Sequence, residues 1–241
     1  MMSFWPFRKR ATLLSAGLFN DFVDGHSHIL PGVDDGVRHE SEAVEILSLY
    51  ESFGVRRVWL TPHVMEDIPN TTTELRMRFE AFCRLYDGSV ELRLSSENML
   101  DGLFEERLSA NDLLPYGDDG DRLLVETSYF TPPYDFYDKL DRIKHKGYYP
   151  VLAHPERYMY MDERMYCRLK DMGVLFQLNI PSLAGFYGTE VRRKAAWLLR
   201  KGFYDISGCD VHSIASLKSF ISAQLPYSAS RFGKMLGLLG K

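Results

Sequence analysis

Between Val23 and Gly36 the chain reads VDGHSHILPGVDDG, with His26 and His28 two apart and Asp34 and Asp35 just beyond a proline–glycine turn. In an extended strand, residues i and i+2 project to the same side, so the two imidazoles face one way together. Asp210 and His212, in DVHS, repeat that spacing. His63 in TPH, Glu97 in SEN, Glu126 in VET and His154 in AHPER add further donors. Imidazole nitrogens and carboxylate oxygens mixed in one site suit Mn²⁺, Fe²⁺ or Zn²⁺, whereas Ca²⁺ takes oxygen alone. A lone His-x-His is a weak signal, because two half-buried imidazoles with hydrogen-bond partners account for it equally well. The larger set is harder to accommodate that way. Burying such groups unpaired costs several kcal/mol each, and cations would neutralise the carboxylates while using the imidazole lone pairs. The expectation is a metal site. His39 and His145 fall in helical surroundings and read as solvated surface residues.

These groups share a placement, at the C-terminal ends of short β-rich runs: DFVDGHSH (21–28), RRVWLTPH (56–63), VELRLSSEN (90–98), RLLVETSY (122–129), YPVLAHPE (149–156), VLFQLNIPS (174–182) and YDISGCDVH (204–212). Amphipathic helical patterns lie between them, such as ESEAVEILSLYESFG and TEVRRKAAWLLRKG, and several stop at glycine. The alternation predicts an α/β chain whose parallel sheet curls into a barrel, with an open doubly wound sheet as the alternative. In either architecture function is built at the carboxyl edge of the strands.

The 241 residues, 45% apolar, suffice for one large α/β domain. We expect that domain over 21–241, with 1–20 as an N-terminal extension. A net charge of −4 provides no basic footprint for nucleic acid. ATLLSAGLF is too short and too polar to span a bilayer, and no convincing signal-cleavage site follows it, so a cytoplasmic location is the default. In the extension, Phe4, Trp5 and the basic trio Arg8, Lys9 and Arg10 could touch an anionic membrane; a loose or packed-back segment is the plainer reading. The odd count of cysteines, Cys83, Cys167 and Cys209, implies reduced structural thiols. A cysteine-based phosphatase would need arginine six residues beyond its thiolate. Those positions hold Ser89, Gly173 and Ala215.

Taken in order, DGHSHILPGVDDG, TPH, AHPERY, QLNIPSLAGFYG and DVHS resemble the polymerase and histidinol phosphatase (PHP) superfamily, from about Asp21 to about Ser219. Within it they are most similar to the bacterial protein-tyrosine phosphatases encoded with capsular and exopolysaccharide genes. The resemblance implies a distorted (β/α)7 TIM-like barrel and a three-metal centre, usually of manganese, with iron or zinc as alternatives. It implies one ion held by His26, His28, Glu97 and Asp210. A second would be held by Glu97, Glu126 and His154, and a third by Asp35, His63 and His212. Asp34 would then support the site from behind or shape the turn. Arg157, with Asp210 and His212, would belong to the catalytic set; Arg157 would grip the phosphate, with Lys218 the nearest candidate for a second contact. The family commonly has Ser and Asn where this chain has Cys209 and Ser213, and Gly-Ala where it has two serines before Glu97. Those departures spare the ligand positions and put the second phosphate contact in doubt.

The implied reaction is attack of a metal-activated hydroxide on phosphotyrosine, with no phosphoenzyme. The implied partner is a bacterial tyrosine kinase with a tyrosine-rich tail that regulates polysaccharide export. The sequence leaves a homo-oligomer open. Rival readings are a small-metabolite phosphatase of the histidinol phosphatase type, a C–N hydrolase of the amidohydrolase type, and a scaffold that binds a phosphoprotein without turnover. The amidohydrolase reading wants a bridging lysine where this chain has Glu126.

Overall fold

Most of the β-rich runs form strands whose apolar residues are buried on both faces, as parallel strands covered by crossover helices must be, the segment 91–94 with its exposed Arg93 being the exception. In β6 (Arg122–Glu126), Leu123 and Val125 join the main core, while Leu124 between them packs with Val151 and Ala153 in a separate small cluster on the other face. The computed structural model describes residues 11–225, so the aromatic and basic positions Phe4, Trp5, Arg8, Lys9 and Arg10 lie outside the described residues.

The chain runs β1 (Phe22–Ser27), α1 (Glu40–Phe53), β2 (Val55–Leu60), β3 (His63–Val64), α2 (Thr72–Leu85), β4 (Glu91–Leu94), β5 (Glu97–Met99) and α3 (Gly102–Ala110). After β6 come α4 (Phe136–His145), β7 (Tyr149–Leu152), a 3-10 turn (Pro155–Arg157), α5 (Glu163–Asp171), β8 (Leu175–Asn179), α6 (Ile180–Ala184), α7 (Thr189–Lys201), β9 (Ile206–Gly208) and α8 (Ile214–Ser222). Every pairing between these strands is parallel, in the orders β1-β2-β4 and β3-β5-β6-β7-β8-β9. The two sheets curl so that β9 comes beside β1. Ser27 forms a parallel bridge with Val211, and the Asp210 amide donates to the His26 carbonyl at 2.8 Å. An open doubly wound sheet has no such junction.

Two of the expected runs are each split in two. Pro62 has no amide to give the ladder, and the Thr61 hydroxyl donates to the Ser27 carbonyl at 3.1 Å, so the run 56–63 breaks between β2 and β3. Ser95 and Ser96 break 90–98 similarly, with the Ser95 hydroxyl donating to the Leu114 carbonyl at 3.0 Å. The helices cover the sheet with Ile46, Leu47, Leu140, Leu169, Leu198 and Leu199. Each such side chain is worth about 1.5–3 kcal/mol of burial. Thr71 and Glu74 form a capping box at the start of α2. Leu13 and Phe19 are buried, and Thr12 bridges Gln224 antiparallel. No helix among the described residues is long and apolar enough to cross a membrane.

Candidate metal centre

The strand ends deliver the expected side chains to one rim. His63 opens β3 directly beside Glu97, which opens β5, and Glu126 closes β6 opposite Met99. His154 and Asp210 leave β7 and β9 in left-handed backbone conformation, φ 33° and 53°. That conformation is uncommon for residues with a side chain and tends to mark functional positions. Two glycines allow the strand ends to crowd together. A Cβ on Gly36 would run into the His28 carbonyl, and one on Gly208 would sit 2.6 Å from the His26 amide.

His26, His28, Asp35, His63, Glu97, Glu126, His154, Asp210 and His212 all converge, forming overlapping groups whose ligand atoms lie within 4.8 Å of one another. The groups are His26, His28 and Asp210; His26, Glu97 and His154; His63, Glu97 and Glu126; and His28, Asp35, His63 and His212. Glu97 is the hub. Its Oε2 lies 3.1 Å from His26 Nε2, 3.2 Å from His28 Nε2 and 3.3 Å from His63 Nδ1, and its Oε1 lies 3.0 Å from His154 Nε2. Asp210 Oδ1 is 3.3 Å from His28 Nε2 and 3.6 Å from His26 Nε2. Asp35 Oδ1 spans His63 Nε2 at 3.5 Å and His212 Nε2 at 3.6 Å. Asp35, His63, Glu97, Glu126, His154, Asp210 and His212 line a cavity of about 300 Å³ together with Arg157, while His26 and His28 are fully buried.

The orientation of the imidazoles tests whether cations fit. Gln177 Oε1 accepts from His26 Nδ1 at 3.0 Å, and Asp34 Oδ2 accepts from His28 Nδ1 at 2.8 Å. With both Nδ1 atoms protonated, neutral rings would face each other through bare Nε2 lone pairs only 3.1 Å apart. Two acceptors at that distance require positive charge between or beside them. His154 Nδ1 is buried without a hydrogen-bond partner, and His63 Nδ1 and Glu126 Oε1, though 3.0 Å apart, do not meet in hydrogen-bond geometry. Burial opposes charge on His26, yet Glu97 and Asp210 raise its pKa to about 9. Burial favours a neutral Asp210, yet His26, His28, His212 and Arg157 hold it well below the ordinary carboxylate range. His154, buried and beside Arg157, is pushed down to about 4, which keeps its ring neutral. Such a donor set fits divalent ions.

Arg157 stands at the mouth. Its Nη1 donates to Asp210 Oδ2 at 2.6 Å, and its guanidinium lies between the rings of Tyr129 at 4.6 Å and Tyr187 at 4.3 Å. Lys218 is directed elsewhere. On α8, its Nζ meets Glu45 Oε1 at 2.8 Å on the outer surface, and it does not line the cavity. Sequence reasoning missed Gln177, Asn179, Tyr129 and Tyr187. Asn179 Nδ2 donates to Asp210 Oδ2 at 3.1 Å, so it shares that oxygen with Arg157. Polar Gln and Asn inside the otherwise apolar FQLNI of β8 were the available signal for two of them.

Comparison with known proteins gives a consistent picture. A family model described as "Capsular polysaccharide synthesis, CpsB/CapC" matches residues 22–236. The chain is 26% identical over 89% of its length to the tyrosine-protein phosphatase YwqE of Bacillus subtilis, of which 91% is covered. It is 27% identical over 88% of its length to the tyrosine-protein phosphatase CpsB of Streptococcus pneumoniae, with 91% of that protein covered. Its fold matches a crystal structure described among those of YwqE and CpsB, "unique metal-dependent tyrosine phosphatases". The TM-score is 0.74 at 23% identity, covering 91% of this chain and 96% of that one.

Proposed function

The chain belongs to the CpsB/CapC capsular polysaccharide synthesis family, and from that premise we propose that it is a metal-dependent protein-tyrosine phosphatase acting at the rim just described. The carrying observation is the convergence of five imidazoles and four carboxylates, oriented from behind by Gln177 and Asp34, beside an arginine. His26, His28, Glu97 and Asp210 would hold one ion, Glu97, Glu126 and His154 a second, and Asp35, His63 and His212 a third. Manganese is the ion we assign, ahead of iron or zinc, from the mixed nitrogen and oxygen donors and the family resemblance. When bound, divalent ions supply a water of lowered pKa as nucleophile and neutralise phosphoryl charge.

The chain's own residues do the rest. Arg157 takes non-bridging phosphate oxygens through its guanidinium fork, steadied by Tyr129 and Tyr187 on its two faces. Asp210 holds Arg157 at the mouth while turning its other oxygen toward His26 and His28. A tyrosine phenolate, with a pKa of about 10, departs with little help from a general acid. No thiol takes part: Cys209 is fully buried, and burial with neighbouring Asp24 pushes its pKa well up.

The strand pairs β2/β3 and β4/β5, each read as one interrupted strand, make the sheet a distorted (β/α)7 barrel. Residues 21–241 form the phosphatase domain and 1–20 an extension whose described part packs on it. The phosphoprotein substrate is a bacterial tyrosine kinase with a tyrosine-rich tail, met in the cytoplasm. Phosphate release from phosphotyrosine peptides, measured beside release from histidinol phosphate with metal content assayed on the same sample, tests the assignment. Faster turnover of histidinol phosphate would make this a metabolite phosphatase, and no release from any phosphotyrosine peptide by metal-loaded protein would make it a scaffold.

A further inference from the structure

A second cavity adjoins the rim. It has a volume of about 520 Å³ and lies between the segment 156–166, from the 3-10 turn to the start of α5, and the stretch 187–197, which runs into α7. Its apolar lining is Met159, Met161, Tyr166, Tyr187, Val191 and Trp197. Arg157 lines this cavity and the metal-site cavity alike, and Tyr187 stacks on that same guanidinium.

Most of the charged residues around it already have partners. Arg193 pairs with Glu190 at 2.7 Å, and Lys194 donates to the Tyr158 and Met161 carbonyls at 2.8 and 3.0 Å. Asp162 caps α5 through the Met165 amide at 2.9 Å, and Glu156 accepts from the Tyr204 hydroxyl at 2.8 Å. What the cavity leaves for a ligand is therefore chiefly hydrocarbon and aromatic surface. Met159, at its edge, is 71% exposed and extends the apolar lining to the cavity mouth.

Resting on the phosphatase reading above, we propose that this cavity is a subsite for an apolar side chain, Leu, Ile, Met or Phe, lying close in sequence to the phosphotyrosine of a protein substrate. The argument is one of reach. An extended peptide advances about 3.3 Å per residue with alternate side chains on one face. A phosphotyrosine whose phosphate is gripped by Arg157 therefore brings its near neighbours within reach of the cavity that the same arginine also lines. Continuity through one side chain makes the two cavities parts of one peptide-binding surface, with the phosphate as anchor and the apolar residue as selector. The subsite favours a phosphoprotein over a small phosphorylated metabolite, which has nothing to place there.

The test is a scan of short phosphotyrosine peptides in a Gly/Ser background. A single Leu is moved from three residues before the phosphotyrosine to three after, and kcat/KM is normalised to that for p-nitrophenyl phosphate. At one or two positions Leu should raise the normalised kcat/KM about tenfold, mainly through KM. Val191→Glu should erase that gain, and so should Met159→Glu, whose exposed position leaves folding undisturbed. A flat scan, or a Leu preference that survives both variants, overturns the proposal.

A second readout does not depend on turnover. Non-hydrolysable phosphonate versions of the favoured Leu peptide should change the fluorescence of Trp197, and Trp197→Phe should remove the change. If no substrate is hydrolysed but this signal appears with Leu and not with Ala, the phosphatase reading fails while the subsite stands. If turnover is normal and the signal is the same for both peptides, the subsite fails alone.

Discussion

Gln177 carries more of the site than its neutral amide suggests. Its Oε1 accepts from both His26 Nδ1 and the His154 amide, tying the His26 imidazole and the His154 backbone to one atom. Gln177→Leu should weaken Mn²⁺ binding about 10–100-fold in calorimetric titration, with excess metal restoring part of the turnover. Arg157→Ala removes a charge-assisted contact worth about 1.5–3 kcal/mol. It should raise KM for phosphotyrosine peptides by about 10–100-fold and weaken inhibition by inorganic phosphate similarly. Asp210→Asn or His154→Ala should bring phosphate release to background while the circular dichroism spectrum stays native. Convergence of eight of the His, Asp and Glu side chains was legible in the sequence, because ionisable residues recur at the ends of apolar runs, where burial without a counter-charge is costly; Asp35, in the turn after β1, was expected only from the family resemblance. Gln177 and Tyr187 were not legible. Each acts through a contact with a residue far away in the chain, and neither type is diagnostic alone.

At the scale of elements, the alternation of β-rich runs and amphipathic stretches was enough to place every strand within a few residues. The breaks at Thr61-Pro62 and Ser95-Ser96 were not foreseen, because they depend on side chains bonding to the backbone of a neighbouring strand or loop. One helix-to-helix clamp gives a pH prediction. Glu105 on α3 takes Lys139 Nζ at 3.0 Å and Arg142 Nη2 at 2.9 Å from α4. Burial raises its pKa, but Arg142 and Lys139 outweigh it and bring the carboxyl below its ordinary value. The clamp is then fully formed above about pH 4.3, the unfolded value, and is lost as pH falls through the lower folded value. Because the pairs are partly exposed, they are worth no more than about 1 kcal/mol. Urea titration should show Glu105→Gln slightly less stable than the parent at pH 7, and the gap should close in acid. An unchanged gap at low pH would remove the clamp from the account.

For the whole molecule, a cage that binds ions only when folded ties stability to metal. Saturation at about 100 times the dissociation constant adds about 2.7 kcal/mol. For a chain of this size that corresponds to a Tm rise of about 5–10 °C over chelator-treated protein. Scanning calorimetry with and without Mn²⁺ checks this, and equal melting temperatures would mean that the rim binds no ion tightly. The strap that joins the two ends of the described chain has another consequence. The Leu225 amide donates to the Ala11 carbonyl at 2.7 Å, next to the Thr12–Gln224 bridge. A polypeptide that closes on itself in this way has no privileged starting point. Circular permutants opened at the surface turn 117–120, with residues 226–241 and 1–10 serving as the new joint, should assemble the same rim and dephosphorylate at close to the parental rate.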